Sequence, residues 1–349
     1  MALTCQDSSR GYLRDILDQP LALRATLVGL HRTTGLGDIP ARLAQGRLRR
    51  IVLTGMGSSL HALHPLFLRL AGAGLMPVMI ETSELIHHAS GLLNPETLLM
   101  VVSQSGRSIE VIRLLELVDK RVPLIGVTNT ADSPLALNSD QLVLTHAGTE
   151  FTVSCKTYQA ALMALAWVGD LLCGTDVQSD LSELNGAAEA VARYLSGWER
   201  HVIELMTLLK GMRHLFLVGR GASLAAAETG GLITKESAHV HAEGMSSAAF
   251  RHGPLEIVGP DTMVVVFGGE ARTFELNKRL AEDVRRAGGM SALVVQSEAQ
   301  GPFDLPASAD AILPILEILP VEMMTLALAE LQGREAGAFE RASKVTSAE

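Results

Sequence analysis

Ser103, Ser105 and Ser108 stand close together, with Gln104, Gly106 and Arg107 between them. They interrupt an apolar run, Leu98-Leu99-Met100-Val101-Val102. Beyond them, Ile109-Glu110-Val111-Ile112-Arg113-Leu114-Leu115 has the spacing of an amphipathic helix. A loop between a buried parallel strand and a helix faces the usual ligand crevice of an α/β sheet. The helix N-terminus offers unpaired N–H groups and about half a unit of positive charge. The serines add hydroxyl donors, and Gly106 lets the backbone come close to an anion. This chemistry suits a single phosphate group. No Lys stands where a nucleotide P-loop needs one, so that motif is excluded. From the loop alone, an ordinary Ser/Gly turn and cap remains equally open.

Other constellations are weaker. Gly55-Met56-Gly57 follows the first strand and Glu81 ends the next, as in a dinucleotide fold, but the third glycine position is Leu60. The second copy, Gly219-Arg220-Gly221, fails in the same way at Leu224. Cys5, Cys155 and Cys173 form no C-x-x-C pair, so neither a disulfide framework nor a zinc-thiolate site is indicated. His239 and His241, on a presumed helix, face different ways. His61 and His64 could share a face but lack carboxylates beside them. No metal or redox cofactor is expected.

Short β-rich runs alternate with helical patterns, which implies βαβ units and parallel sheets. The expected strands are Arg50–Leu53, Met76–Ile80, Leu98–Val102, Leu124–Val127 and Gln141–Leu144, then His214–Val218, Met263–Phe267, Ala292–Val295 and Ala311–Ile315. Ser59–Ala71 and Ser108–Val118 read as helices. "VLTGMGSSL" at 52–60 aligns without a gap on "FLVGRGASL" at 216–224, which points to a duplicated α/β domain. The second half has no matching serine loop, since Phe267 runs into Gly268-Gly269-Glu270; one anion site per pair of domains is the economical reading. The expected organisation is a helical arm over 1–48, a first domain over 49–175 and a helical connector over 176–212. A second domain over 213–320 and a C-terminal helix and tail over 321–349 complete it.

The 349 residues suffice for two domains. A net charge of −9 argues against a general nucleic-acid surface. The N-terminus lacks the order of a signal peptide, and no uninterrupted apolar run reaches the ~18 residues of a membrane span. A cytoplasmic protein binding neither nucleic acid nor membrane is expected.

Taken together, "VLTGMGSS", "SQSGRS", "SEL" at 83–85, "EFTVSCKTY" at 150–158, "KESAHVHAEGMSSAAFRHGPLE" at 235–256 and "ASKVTSAE" at 342–349 resemble the sugar isomerase (SIS) domain family. The likeness covers nearly the whole chain. It is nearest to the isomerase unit of glutamine–fructose-6-phosphate aminotransferases and to SIS-type glucosamine-6-phosphate deaminases. It implies two tandem SIS domains, each a doubly wound, mainly parallel sheet in three α/β/α layers. The chain starts directly at this unit, so ammonia is not expected to come from glutamine within the polypeptide. "VSCKTY" is one residue shorter than the family stretch, and "GREAGAFERASK" lacks the acidic-proline pattern before the terminal lysine.

The resemblance also implies roles. Ser59, Ser103, Gln104, Ser105 and Ser108 would hold the phosphate, and Val153 would contact the sugar. Glu236 would carry a proton between sugar C1 and C2. His252, between Arg251 and Gly253-Pro254, would open the ring from the neighbouring subunit, which makes a homodimer obligatory. Lys344, one of six lysines, would cover the sugar and form an imine with the open-chain ketose. Glu243 and Glu256 would give structural support. The implied reaction is isomerisation of an aminosugar 6-phosphate with loss of ammonia, with glucosamine 6-phosphate giving fructose 6-phosphate. The alternatives are a fructosamine-type 6-phosphate deglycase, an ammonia-dependent synthase, and a non-catalytic phosphosugar sensor.

Overall fold

Two five-stranded sheets carry the chain. The computed structural model describes residues 11–33, 35–175, 183–341 and 343–346. Cys5, residues 176–182 of the expected connector, Ala342 and the terminal 347–349 lie outside these. The first sheet comprises β1 (Arg50–Gly55), β2 (Pro77–Glu81), β3 (Thr97–Val102), β4 (Leu124–Thr128) and β5 (Gln141–Leu144), in the order β2-β1-β3-β4-β5. The second comprises β6 (His214–Gly219), β7 (Ala242–Ser246), β8 (Thr262–Phe267), β9 (Met290–Gln296) and β10 (Asp304–Leu305), in the order β10-β9-β8-β6-β7. The strands pair parallel in both. Central strands β3, Thr-Leu-Leu-Met-Val-Val, and β8, Thr-Met-Val-Val-Val-Phe, are buried along their whole length. Helices cover both faces of such a sheet, so its central strands read as continuous apolar runs rather than alternating ones.

The chain divides into two compact units. One takes in Leu21–Thr149, Lys156–Asn185 and Ala342–Glu349; the other takes in Met1–Pro20, Glu150–Cys155 and Gly186–Arg341. The units interleave in sequence, and the residues that follow Arg341 belong with the first sheet.

Some expected elements differ. Ala311–Ile315 is helical, a 3-10 turn at Asp310–Ile312 followed by the helix Leu313–Leu316. Pro314 cannot donate to a strand ladder, whereas the start of a helix has no use for its N–H. The expected helix Ser59–Ala71 is two, Ser58–His61 and His64–Gly72, with Pro65 at the start of the second. The connector breaks at Ser196-Gly197 into Ala187–Leu195 and Trp198–Leu208. His239 is the left-handed cap of the helix Leu224–Ala238, so His239 and His241 do not share a helix. Strand β7, Ala-Glu-Gly-Met-Ser, is poor in β-branched and aromatic residues and gave no sequence signal.

Asp310–Leu331 is, by length and composition, apolar enough to cross a membrane, but 83% of its best window is buried inside the fold. It carries Glu322, which is 0% exposed and accepts a hydrogen bond from Gln19 Nε2 at 2.6 Å. Burial, with a contribution from the Glu150 charge, raises the Glu322 carboxyl to about 8. The folded chain therefore holds a proton that the unfolded chain releases near the ordinary carboxylate value. Stability falls as pH rises between those two values and is lowest above about 8. Glu322→Gln removes this dependence. Its melting temperature should match that of the wild type at pH 5 and exceed it by several degrees at pH 9, corresponding to ~1–3 kcal/mol. Equal pH profiles by calorimetry would show that the carboxyl is ionised in the fold.

Candidate functional site

In the first sheet, β1 lies between β2 and β3, so the topological switch point falls between β1 and β3. Gly55 pairs in register with Val102, and the loops that follow both residues therefore emerge side by side. One leads into the helix Ser58–His61, which carries Ser59; the other is the serine loop. Gly106 takes φ +61, and a Cβ there would lie 2.3 Å from Ser133 Oγ, so only glycine permits this path. Ser103 Oγ accepts from the Gly106 N–H at 3.1 Å, and Ser105 Oγ accepts from the Arg107 N–H at 3.2 Å. Both hydroxyl protons point away from those acceptor bonds. Ser108 caps the helix Ile109–Leu117 in extended backbone without a side-chain cap bond.

The loop is braced from β4. The Gln104 carbonyl accepts from the Asn129 N–H at 3.1 Å and from Thr128 Oγ1 at 3.2 Å, and Asn129 Oδ1 in turn accepts from Thr145 Oγ1 and the Ala147 N–H. Arg107, the loop's own cation, is drawn to Asp132 at 2.9 Å. An anion here would be held by hydroxyls and N–H groups. Ser105→Ala removes one donor to a charged acceptor, worth roughly 1.5–3 kcal/mol. Affinity for a sugar 6-phosphate should fall more than tenfold by calorimetry, with circular dichroism unchanged; unchanged affinity would take the loop out of the site.

The tail reaches the same loop. The Ile109 N–H, first of its helix, donates to the Thr346 carbonyl at 3.1 Å, and Ser343 Oγ donates to the Val345 carbonyl at 2.8 Å. Lys344 is half-buried in this turn. No local pattern marks Asn129, Ser133 and Thr346 as residues that position the loop, because each acts through contacts distant along the chain. Glu110 was also passed over: it is buried in the first turn of the loop helix, where an acidic residue is ordinary.

Glu236 and His252 belong to the other unit. Glu236 is half-buried near the end of the helix Leu224–Ala238, and its charge acts on the buried Tyr12 hydroxyl. That helix lies backbone to backbone on β7: a Cβ on Gly244 would sit 2.1 Å from the Ala227 carbonyl oxygen, and one on Gly231 would sit 2.6 Å from the Gly244 nitrogen. Its end anchors the segment leading to the tail. The Gly337 N–H donates to the Ser237 carbonyl at 3.0 Å, and Thr152 Oγ1 donates to the Gly337 carbonyl at 2.6 Å. The His239 ring bonds on both sides, Nδ1 with Arg334 and Nε2 with the Ala338 carbonyl. His252 follows the helix Ser247–Arg251 as its C-cap and is exposed. Val153, in the same unit as Glu236, is fully buried.

The corresponding crevice of the second sheet is acidic. Glu317 is fully buried there, with Oε1 accepting from Ser223 Oγ at 2.7 Å. Burial first, and then the Glu270 charge, raise its carboxyl to about 8. The serine loop of the first sheet has no counterpart here, since Gly268-Gly269-Glu270 follows β8.

The profile of the SIS domain family matches residues 47–168 and again 208–328. A glutamine–fructose-6-phosphate aminotransferase (isomerizing) of Pyrococcus horikoshii is 28% identical over 334 residues, covering 92% of this chain and 55% of that protein. The chain thus spans about half the length of the curated relatives it matches. Among solved structures, the C-terminal domain of glucosamine-fructose-6-phosphate aminotransferase from Francisella tularensis superposes with a TM-score of 0.81 at 21% identity, covering 95% of this chain and 99% of that one. Glucosamine-6-phosphate deaminase from Thermotoga maritima superposes with a TM-score of 0.76 at 19% identity, covering 96% and 99%. At these identities the two structures speak for the fold. With two matches to one family model, and two parallel sheets with the serine loop at the switch point of the first, the chain belongs to the SIS domain family.

Proposed function

We propose that this chain is a cytoplasmic, homodimeric isomerase–deaminase that converts glucosamine 6-phosphate to fructose 6-phosphate and ammonia. The observation that carries the reading is the bond from the Ile109 N–H to the Thr346 carbonyl, which puts the turn bearing Lys344 against the helix entered by the serine loop. A phosphate sensor needs the hydroxyls but has no use for a lysine held at that point.

In this reading Ser59, Ser103, Gln104, Ser105 and Ser108 hold the phosphate, and Val153 contacts the sugar. His252 of the neighbouring subunit moves the proton that opens the ring. Glu236 takes the C2 proton of the open-chain aldehyde and returns it to C1, leaving an imine at C2. The Lys344 amine adds to that carbon and ammonia leaves; water then releases fructose 6-phosphate and regenerates the lysine. The likeness to aminotransferases and to a deaminase supports an aminosugar phosphate as substrate.

The test is a panel of hexosamine and fructosamine 6-phosphates assayed for ammonia, free amine and ketose. Ammonia and fructose 6-phosphate from glucosamine 6-phosphate are expected. Amine release from fructosamine phosphates alone would make the chain a deglycase, and binding without turnover would make it a sensor.

A further inference from the structure

A second cavity opens in the unit that lacks the serine loop. It has a volume of about 560 Å³, within the ~300–1,000 Å³ of small-molecule sites, and lies between the Ser196-Gly197 turn and the segment following β9. Arg193, Arg200, His201, Glu298, Gln300 and Asp304 line it. Each arginine is tethered by one guanidinium nitrogen to a backbone carbonyl, Arg193 to Ala307 at 3.3 Å and Arg200 to Gln300 at 2.7 Å, which orients the donors that remain. Gly197, the cap of the helix Trp198–Leu208, also borders the space.

Two further observations set this place apart from an ordinary surface hollow. Gln300 is held at φ +57, a strained conformation for a side chain with a Cβ, and its carbonyl accepts from both Arg200 and His201. His201 is 3% exposed and uses Nε2 as the donor in that bond, which makes Nδ1 an acceptor, and Nδ1 has no partner. Burial lowers the His201 pKa and keeps the ring neutral. Backbone strain of this kind at the rim of a cavity clusters at ligand sites.

We propose that this cavity binds a phosphate monoester with a hydroxylated body, at a site separate from the serine loop. The phosphate meets Arg193 and Arg200. The hydroxyls donate to Glu298 and to Asp304, one of whose oxygens already accepts from the Gly301 N–H at 2.8 Å. The proposal does not depend on the reaction assigned above.

Calorimetry of the full chain with glucose 6-phosphate should show two classes of site. The exposed pair Arg193→Gln/Arg200→Gln should weaken one class more than tenfold, without changing the melting temperature or the turnover of glucosamine 6-phosphate. Ser105→Ala should weaken only the other. With inorganic phosphate as probe, the His201 ring resonance, assigned through His201→Gln, should shift in the wild type and stay still in the arginine variant. A single class of site untouched by the arginine changes, with an unmoved His201 resonance, overturns the proposal. If Ser105→Ala changes nothing while the arginine pair removes a site, it is the serine-loop reading that fails.

Discussion

Glu236→Gln should lower turnover of glucosamine 6-phosphate by ~100- to ~10,000-fold, the range for loss of a positioned proton carrier. Gln keeps the shape and the hydrogen-bonding capacity of the side chain but cannot shuttle a proton between adjacent carbons. The residue is half-buried near the end of its helix, so the fold should be indifferent: the melting temperature should stay within a degree or two. Binding should survive as well, because the phosphate contacts are made elsewhere. The expected signature is therefore a collapse of kcat with KM nearly constant. His252→Ala should be comparably inactive, and its exposure argues that no packing is lost. Mixed dimers of the two variants should recover part of the activity, since one site would then combine an intact Glu236 with an intact His252 from the partner. If proven subunit exchange restores nothing, His252 acts within its own chain or not at all. A Glu236→Gln enzyme with full turnover would remove the carboxylate from the reaction altogether.

Lys344→Arg should cost at least ~100-fold in turnover. Arginine preserves the positive charge and most of the side-chain volume, and in a half-buried tail turn it leaves the fold intact. Its guanidinium stays protonated and is not a nucleophile for an imine. Borohydride added during turnover should reduce the imine and label the wild-type chain at Lys344, while the arginine variant should stay unlabelled. Retention of full turnover would exclude imine chemistry at this residue and reduce it to an electrostatic cover. The backbone bond between Thr346 and Ile109 does not involve the lysine side chain, so the variant tests chemistry rather than docking of the tail.

How far the sequence alone reaches follows from where its information lies. The alternation of strands and helices, the duplication and the serine loop are local patterns. Leu98–Val102 is legible as a buried strand because six consecutive residues of β3 are shielded on both faces. Ser103 to Ser108 are legible as a strand-to-helix loop suited to an anion because a strand end, a glycine and a helix start follow one another without a gap. Only the tertiary structure decided the rest, because those decisions couple residues far apart in the chain. β7 forms from a sequence with weak β preference because Gly244 and Gly231 let it lie against the Glu236 helix. Ala311–Ile315 has the composition of a strand, but Pro314 and the buried setting of the stretch make it helical. Glu317 reads as one more acidic residue until the fold buries it against Ser223, where desolvation raises its carboxyl to about 8. The tail shows no period at all. Its place beside the serine loop comes from one backbone bond between Ile109 and Thr346, which exists only because the first sheet, its loop and the end of the chain fold into one unit.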